Sequence, residues 1–324
     1  MSHRKRMSTY DARKVSVCLL NYNHGQLIDS TVESILAQDC DGFEFIISDD
    51  CSTDDSWERI LALSECSRRI IPVRTPKNLR MPGNANFAVG QSTRPFIALL
   101  HHDDLYATNM LRRWAQCLDD NPSIGFVFNS YGVHGCDRID DHPFSEGVQN
   151  GGWFLRNHLL RRWNCPVRGT AMVRRSSWNS VGGMNVRFDL LADVDLWMRL
   201  AQTYDVGYVK EPLILVRHQR PRDYPDEYCR PRGFWRRKRL LYEIHASNRG
   251  SNGIGRNSIA WFCFRIRLSL ESTKWIIYAL VRRRYEMIAS SDLGRVPEEY
   301  FFVSWLRAFA RWLTSSRPSS LNAR

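Results

Sequence analysis

The sequence lacks the features that would place a chain across a membrane or among the zinc-finger proteins. No uninterrupted apolar run approaches the roughly 18 to 20 residues that a spanning helix needs. The best, Trp275 to Val281, lies between Lys274 and Arg282. The opening stretch, MSHRKRMSTYDARK, has no apolar centre, so no secretory signal is expected there. The nine cysteines form no CxxC pair, which argues against a zinc ribbon or a thioredoxin-like redox motif. Several sit in apolar runs such as VSVCLL and read as small core residues, in keeping with a reducing, cytosolic setting. No Gly-rich loop with a following Lys or Arg stands near the first apolar run, so a nucleotidyltransferase lacks support.

Acidic charge is scarce in one region only. The chain of 324 residues has a formal net charge of +12. Residues 1–218 hold 25 Lys and Arg against 25 Asp and Glu, whereas residues 219–324 hold 21 against 9. A neutral body therefore carries a basic tail. The 43% hydrophobic and 12% aromatic content excludes a disordered chain. The tail's charge calls for an anionic partner. No helix-turn-helix, zinc-finger or RNA-recognition signature accompanies it, so nucleic acid is not expected.

The body alternates between two periods. KVSVCLL (14–20), FEFIIS (43–48), IIPVR (70–74) and PFIALL (95–100) read as buried strands. Between the first two, Ile28, Val32, Ile35 and Leu36 recur on one helical face. CSTDDS reads as a capping turn before a helix with Trp57, Ile60 and Leu61 inward, and MPGNANFAVGQS as a Gly-containing turn leading into a short helix. Strand and helix in alternation predict an α/β fold with a mostly parallel sheet. Ligands in such sheets bind beyond the carboxyl ends of the strands. Asp49–Asp50 and Asp103–Asp104 both fall there. Paired carboxylates suit a hard divalent cation shared with substrate phosphates. An Asp pair after a strand is also ordinary turn chemistry, and His101 and His102 beside two carboxylates admit a different metal site. Asp193, ahead of LWMRLA, has a plain alternative as a helix N-terminal charge, and Asp195 reads as a cap or a salt-bridge partner. His24, His134, His142, His158 and His245 form no ligand spacing and read as loop or surface residues.

Three segments carry a resemblance. VSVCLLNYNHGQLIDSTVESILAQDCDGFEFIISDDCSTDDS, GNANFAVGQSTRPFIALLHHDDLY and RRSSWNSVGGMNVRFDLLADVDLWMRLA, in that order, resemble family 2 glycosyltransferases of the GT-A fold. The resemblance spans roughly residues 14–218. It implies a Rossmann-like, mostly parallel sheet flanked by helices, and a hexosyltransferase-type enzyme acting in cell-surface polysaccharide synthesis. A nucleoside-diphosphate sugar would be the donor, a glycan or lipid-linked glycan the acceptor, and Mg²⁺ or Mn²⁺ the cofactor. Tyr22 and Asp50 would hold the base and ribose, Asp103 and Asp104 the metal and diphosphate. Asp193 would be the general base of an inverting transfer, with Trp197 near the acceptor pocket. Arg168 would contact the donor, and Arg217 and His218 would close on the diphosphate. Three positions depart from the family pattern. His101 stands for the first Asp of the DxD stretch, Ala192 for the Glu before the base, and Leu20 for a small or hydroxylic residue. The first two motivate a second expectation, a noncatalytic nucleotide-sugar-binding module.

The expected organisation is a leader (1–13), the glycosyltransferase domain (14–218) and a basic, aromatic-rich helical extension (219–324). FWRRKRLLYEIHAS, IAWFCFRIRLSL, WIIYALVRRRYEMI and YFFVSWLRAFARWL set Trp and Phe beside Arg. That is the composition of interfacial membrane anchors, and equally of helices that pack on a folded body. A peripheral position at the cytosolic membrane face is the resulting expectation.

Overall fold

The protein is described from a computed structural model that covers residues 10–140, 142–160, 165–217 and 231–250, with ten positions between 261 and 281. The chain divides into two compact units, Met1–Arg222 and Asp223–Arg324. Each is described by itself.

The first unit is built on one mixed sheet of ten strands. β1 (Val15–Asn21), β2 (Glu44–Asp49), β3 (Ile70–Arg74) and β4 (Phe96–His101) alternate with α1 (Gly25–Leu36), α2 (Ser56–Cys66) and α3 (Arg80–Gln91). Then come β5 (Asp104–Tyr106), α4 (Met110–Asp120), β6 (Ile124–Val133), β7 (Gly147–Gln149) and α5 (Gly151–Phe154), which runs into a π-helical turn at Leu155–Leu159. β8 (Ala171–Arg174), α6 (Arg175–Ser180), α7 (Ala192–Thr203) and β9 (Asp205–Val216) complete the unit. The strand order is β7-β9-β6-β8-β4-β1-β2-β3, with β5 pairing β9 and the two-residue strand Ile139–Asp140 pairing β6. β4, β1, β2 and β3 run parallel, and β8 is inserted antiparallel between β4 and β6. The chain winds outward from β1 to β3 and returns to β4 on the far side of β1. That reversal leaves a crevice beyond the carboxyl ends of β1 and β4.

The local chemistry explains the elements. Every residue of β1 is buried, as an apolar β-branched run in a central strand demands. Ile28, Val32 and Ile35 of α1 are fully buried beneath it. In α2 the inward residues are Ser56 and Ile60, while Leu61 is 39% exposed. Leu61 points about 100° away from Ile60, and on α2 that direction faces solvent. α3 is longer than the sequence pattern suggests and begins before Pro82. Proline in a first turn removes no helical hydrogen bond. The folded body also begins earlier than expected. Tyr10–Asp11 pairs with Cys40–Asp41, and Ala12 is fully buried.

In the second unit, α8 (Pro231–Gly250) buries Lys238, Ile244, His245, Asn248 and Arg249. The His245 ring stacks on Phe264 at 3.9 Å, and the Arg249 guanidinium lies 5.1 Å from the Trp261 ring centre. Burial pushes Arg249 down to about 10 and His245 down to about 3. His24, His158 and His245 are thus buried residues, whereas their polarity had suggested loops or surface.

Gly151 marks the tightest approach in the first unit. A Cβ there would lie 1.9 Å from the Tyr204 carbonyl oxygen and 2.7 Å from that of Ala201. Both are backbone atoms, so the chain itself must shift to admit a methyl group. Gly151→Ala is expected to lower stability by about 1–3 kcal/mol, read by denaturant unfolding.

Candidate active site

Four turns meet beyond the carboxyl edge of the parallel strands. In the first two, Asn23 and Cys51 adopt left-handed backbone at φ 52° and 57°. Asp49 is fully buried and taken up by protein donors: Asn21 Nδ2 at 2.9 Å, the Ser52 N–H at 3.0 Å and Arg74 Nε at 3.2 Å. It shapes the turn. Asp50 is also buried, and its Oδ1 accepts from Thr75 Oγ1 at 2.9 Å and the Leu79 N–H at 2.8 Å. Burial raises its pKa against those two donors. Tyr22 lies half-buried on the same edge, its carbonyl accepting from His24 Nδ1 at 2.6 Å.

The turn after β4 carries the second acidic pair. Tyr106 Oη accepts the His101 N–H at 2.9 Å and donates to the His101 carbonyl at 2.7 Å. Thr31 Oγ1 lies 2.7 Å from the His102 carbonyl and 3.0 Å from that of Asp104. Burial and the neighbouring Asp103 charge push the Asp104 carboxyl up to about 7, opposed by Arg168 and Arg217. For Asp103, burial acts upward, but the imidazoles of His102, His101 and His24 outweigh it and hold the pKa low.

The third contribution comes from 165–195. Arg168 lies over the Tyr131 ring at 4.6 Å. Gly169 packs against His101: a Cβ there would fall 2.4 Å from that imidazole's Cε1. Asp193 stands in the first turn of α7, half-buried. Burial pushes its carboxyl up to about 6, against the Val194 N–H, its own N–H and the charge of Arg168. Gly169 thus sets this segment against the acidic turn, and the Arg168 charge lowers the pKa of both Asp104 and Asp193. Asp195, by contrast, is buried in an ion pair with Arg199 at 2.7 Å.

Residues 16–181 match the family described as Glycosyl transferase family 2. The chain belongs to that family. Among relatives of this glycosyltransferase, EpsE of Bacillus subtilis (strain 168), which carries a glycosyltransferase name, is 28% identical over 215 residues, covering 63% of this chain and 73% of EpsE. The Escherichia coli UDP-Glc:alpha-D-GlcNAc-diphosphoundecaprenol beta-1,3-glucosyltransferase WfaP is 31% identical over 117 residues, 36% of this chain and 45% of WfaP. The solved structure of mannosyltransferase PcManGT from Pyrobaculum calidifontis, in complex with GDP-Man and Mn²⁺, has a TM-score of 0.56 at 17% identity. That match covers 94% of this chain and 88% of PcManGT, and the shared fold is GT-A.

A divalent cation at the acidic turn would need oxygen ligands. Among the described residues, no group of three or more His, Cys, Asp or Glu is arranged to hold a metal ion. The donor set is Asp103 and Asp104. Mg²⁺-type sites commonly use one or two carboxylates and complete their shell with water and substrate phosphate oxygens. A buried pair of carboxylates, one with its pKa driven up, is also relieved by a cation. The residues present fit such an ion with the donor's diphosphate in place.

Some expected residues sit elsewhere. Trp197 is fully buried, its ring 5.0 Å from Phe126, and offers no surface to an acceptor. Arg217 is bonded within the protein: Nε donates to the Asp103 carbonyl at 3.0 Å, Nη1 to Ser30 Oγ at 2.9 Å and Nη2 to Thr31 Oγ1 at 2.7 Å. It braces the acidic turn against α1. His218 lies outside the described residues. Thr31 escaped notice in the sequence, although a polar residue on the inner face of α1, between Ile28 and Ile35, is a readable signal. Thr31→Val is expected to cost about 1–3 kcal/mol, because it leaves Arg217 and two buried carbonyls short of a partner. Thermal unfolding would show the loss, and weaker Mn²⁺-dependent binding of UDP or GDP should accompany it.

Proposed function

We propose that this glycosyltransferase moves a sugar from a nucleoside-diphosphate sugar to a glycan or lipid-linked glycan, with inversion, with Mg²⁺ or Mn²⁺, and in cell-surface polysaccharide synthesis. The observation that carries the reading is the close approach of Gly169 to the His101 imidazole, which sets the segment bearing Arg168 against the acidic turn; the Arg168 charge then bears on both Asp104 and Asp193. One site thus offers a place for a leaving diphosphate and, beside it, a carboxyl poised to take a proton. The family membership favours this enzyme over a noncatalytic binding module. The names of WfaP and PcManGT support a nucleotide sugar as donor, and WfaP's name supports a lipid-linked acceptor.

In this account Asp50 and Tyr22 receive the base and ribose, and Asp103 and Asp104 hold the cation. A bound cation supplies electrostatic stabilisation of the charge that develops on the departing diphosphate. Asp193 accepts the acceptor's hydroxyl proton as the oxygen bonds to the anomeric carbon. The bond from that carbon to the diphosphate oxygen breaks, and the nucleoside diphosphate leaves with the electron pair. Attack opposite the leaving group inverts the centre. Arg168 stabilises charge between the two. A base of pKa about 6 is half ionised at pH 6 and about nine-tenths ionised one pH unit higher. Turnover is therefore expected to rise through about pH 6 to a plateau, measured as UDP or GDP release with Mn²⁺ across UDP-glucose, UDP-GlcNAc and GDP-mannose. Asp193→Asn is expected to lower turnover about 10²- to 10⁴-fold. Undiminished turnover in that variant contradicts the assignment.

We further infer that the second unit seats the enzyme peripherally on an anionic membrane at its cytosolic face. Phe262, Ile266, Leu270, Ile277 and Val281 are helical residues, each at least 43% exposed, apolar side chains of the kind that enter a bilayer interface. The same third of the chain holds the whole basic excess. Among the described residues no helix is long and apolar enough to cross a membrane. The full chain is expected to cosediment with phosphatidylglycerol vesicles in a salt-sensitive way. Phe262→Glu with Leu270→Glu should weaken that binding at least tenfold, and unchanged binding would refute the assignment.

A further inference from the structure

Two residues of the first unit hold backbone conformations that L side chains rarely adopt, and they are bonded to each other. Arg80, the first residue of α3, has φ 62°. Asp189 has φ 49° and ψ −125° and breaks the 3₁₀ turn Val186–Leu191. Arg80 Nη1 donates to Asp189 Oδ2 at 2.8 Å. The Asp189 side chain is only 7% exposed, that of Arg80 47%. Glycine adopts positive φ without steric penalty, yet neither position is glycine. Strained non-glycine residues persist where their surroundings over-determine them, and they gather at working sites.

Their location gives the pair a role. Leu79, next to Arg80, donates its N–H to Asp50 on the donor side. Asp189 stands four residues before Asp193, in the segment that leads into α7. Asn86, farther along α3, binds the same loop: its Nδ2 donates to the Met184 carbonyl and its Oδ1 accepts the Met184 N–H, both at 2.9 Å. α3 therefore grips the loop at two points, one the Asn86 side-chain amide on the Met184 backbone and one a strained ion pair.

We propose that Arg80 and Asp189 are positioning residues, a latch that ties the wall holding the donor nucleotide to the loop that delivers Asp193. This rests on the reading of Asp193 as the base. An ion pair kept only for stability would not need unfavourable backbone at both ends. Strain separates the two roles, because glycine at either position relieves it while removing the pair.

The test uses the full chain carrying Arg80→Gly, Asp189→Gly and Arg80→Lys, the last keeping both charge and strain. Each glycine variant should keep or raise Tm and bind UDP or GDP with Mn²⁺ within about threefold of the parent. Each should also lower kcat for nucleotide release at least tenfold. Arg80→Lys should retain most of the turnover. Amide hydrogen exchange across 184–195, measured without substrate, should quicken in the glycine variants at unchanged Tm. Turnover that falls only as Tm falls, or exchange across 184–195 that stays unchanged, overturns the latch. If the parent releases no nucleotide from any donor, the catalytic reading fails, and the exchange measurement still decides whether the pair holds the loop.

Discussion

Two carboxylates packed side by side beyond a central strand are an electrostatic problem, and much of the first unit answers it. Asp103 and Asp104 sit in one turn, Asp104 buried and driven up to about 7. Three imidazoles face Asp103. Arg217 reaches from the end of β9 to the Asp103 carbonyl, and Thr31 reaches from α1 to the carbonyls on either side of it. Arg168 supplies positive charge from the acceptor-side segment. These groups hold the turn in shape but leave like charges close together, a state that favours a divalent cation and a diphosphate over water. In the proposed reading, carboxylates rather than a basic surface handle the phosphates. The neutral charge of residues 1–218 is consistent with that.

The return of the chain from β3 to β4 turns this turn into part of a site. It puts the end of β4 beside the end of β1, with Leu20 in register with His101. The turn that holds Asp50 and the acidic turn are therefore neighbours although about fifty residues separate them. α3 then links this half to the loop before Asp193 through Asn86 and Arg80. Hydrogen bonds and an ion pair from α3 thus tie the Asp50 side of the sheet to the loop before Asp193.

The strands and the first helix were legible because apolar runs and a 3.6-residue period are direct images of burial. The acidic turns were legible because charge after an apolar strand has few uses. Division of labour within them was not. Asp49 and Asp50 are adjacent and chemically equal, and only their neighbours make one a turn former and the other a donor-side carboxyl. Arg217 resembled a phosphate ligand, since a cation at a strand end looks the same whether it faces ligand or backbone. Trp197 looked like a pocket residue, and tertiary packing put it in the core. The pairing of Arg80 with Asp189 spans 109 residues and left no trace in motif or spacing. The start of α3 was obscured by Pro82 and Gly83, residues that usually end helices and here open one.

We propose that Asp103 and Asp104 bind the donor's diphosphate through a divalent cation. Calorimetric titration of UDP and of GDP into the full-length protein, with and without Mn²⁺, tests it most directly. The account predicts that one of the two nucleotides binds tightly with Mn²⁺, weakens at least tenfold when the metal is withheld, and weakens as much in Asp104→Asn. Equal affinity with and without metal, or full affinity in Asp104→Asn, would contradict it.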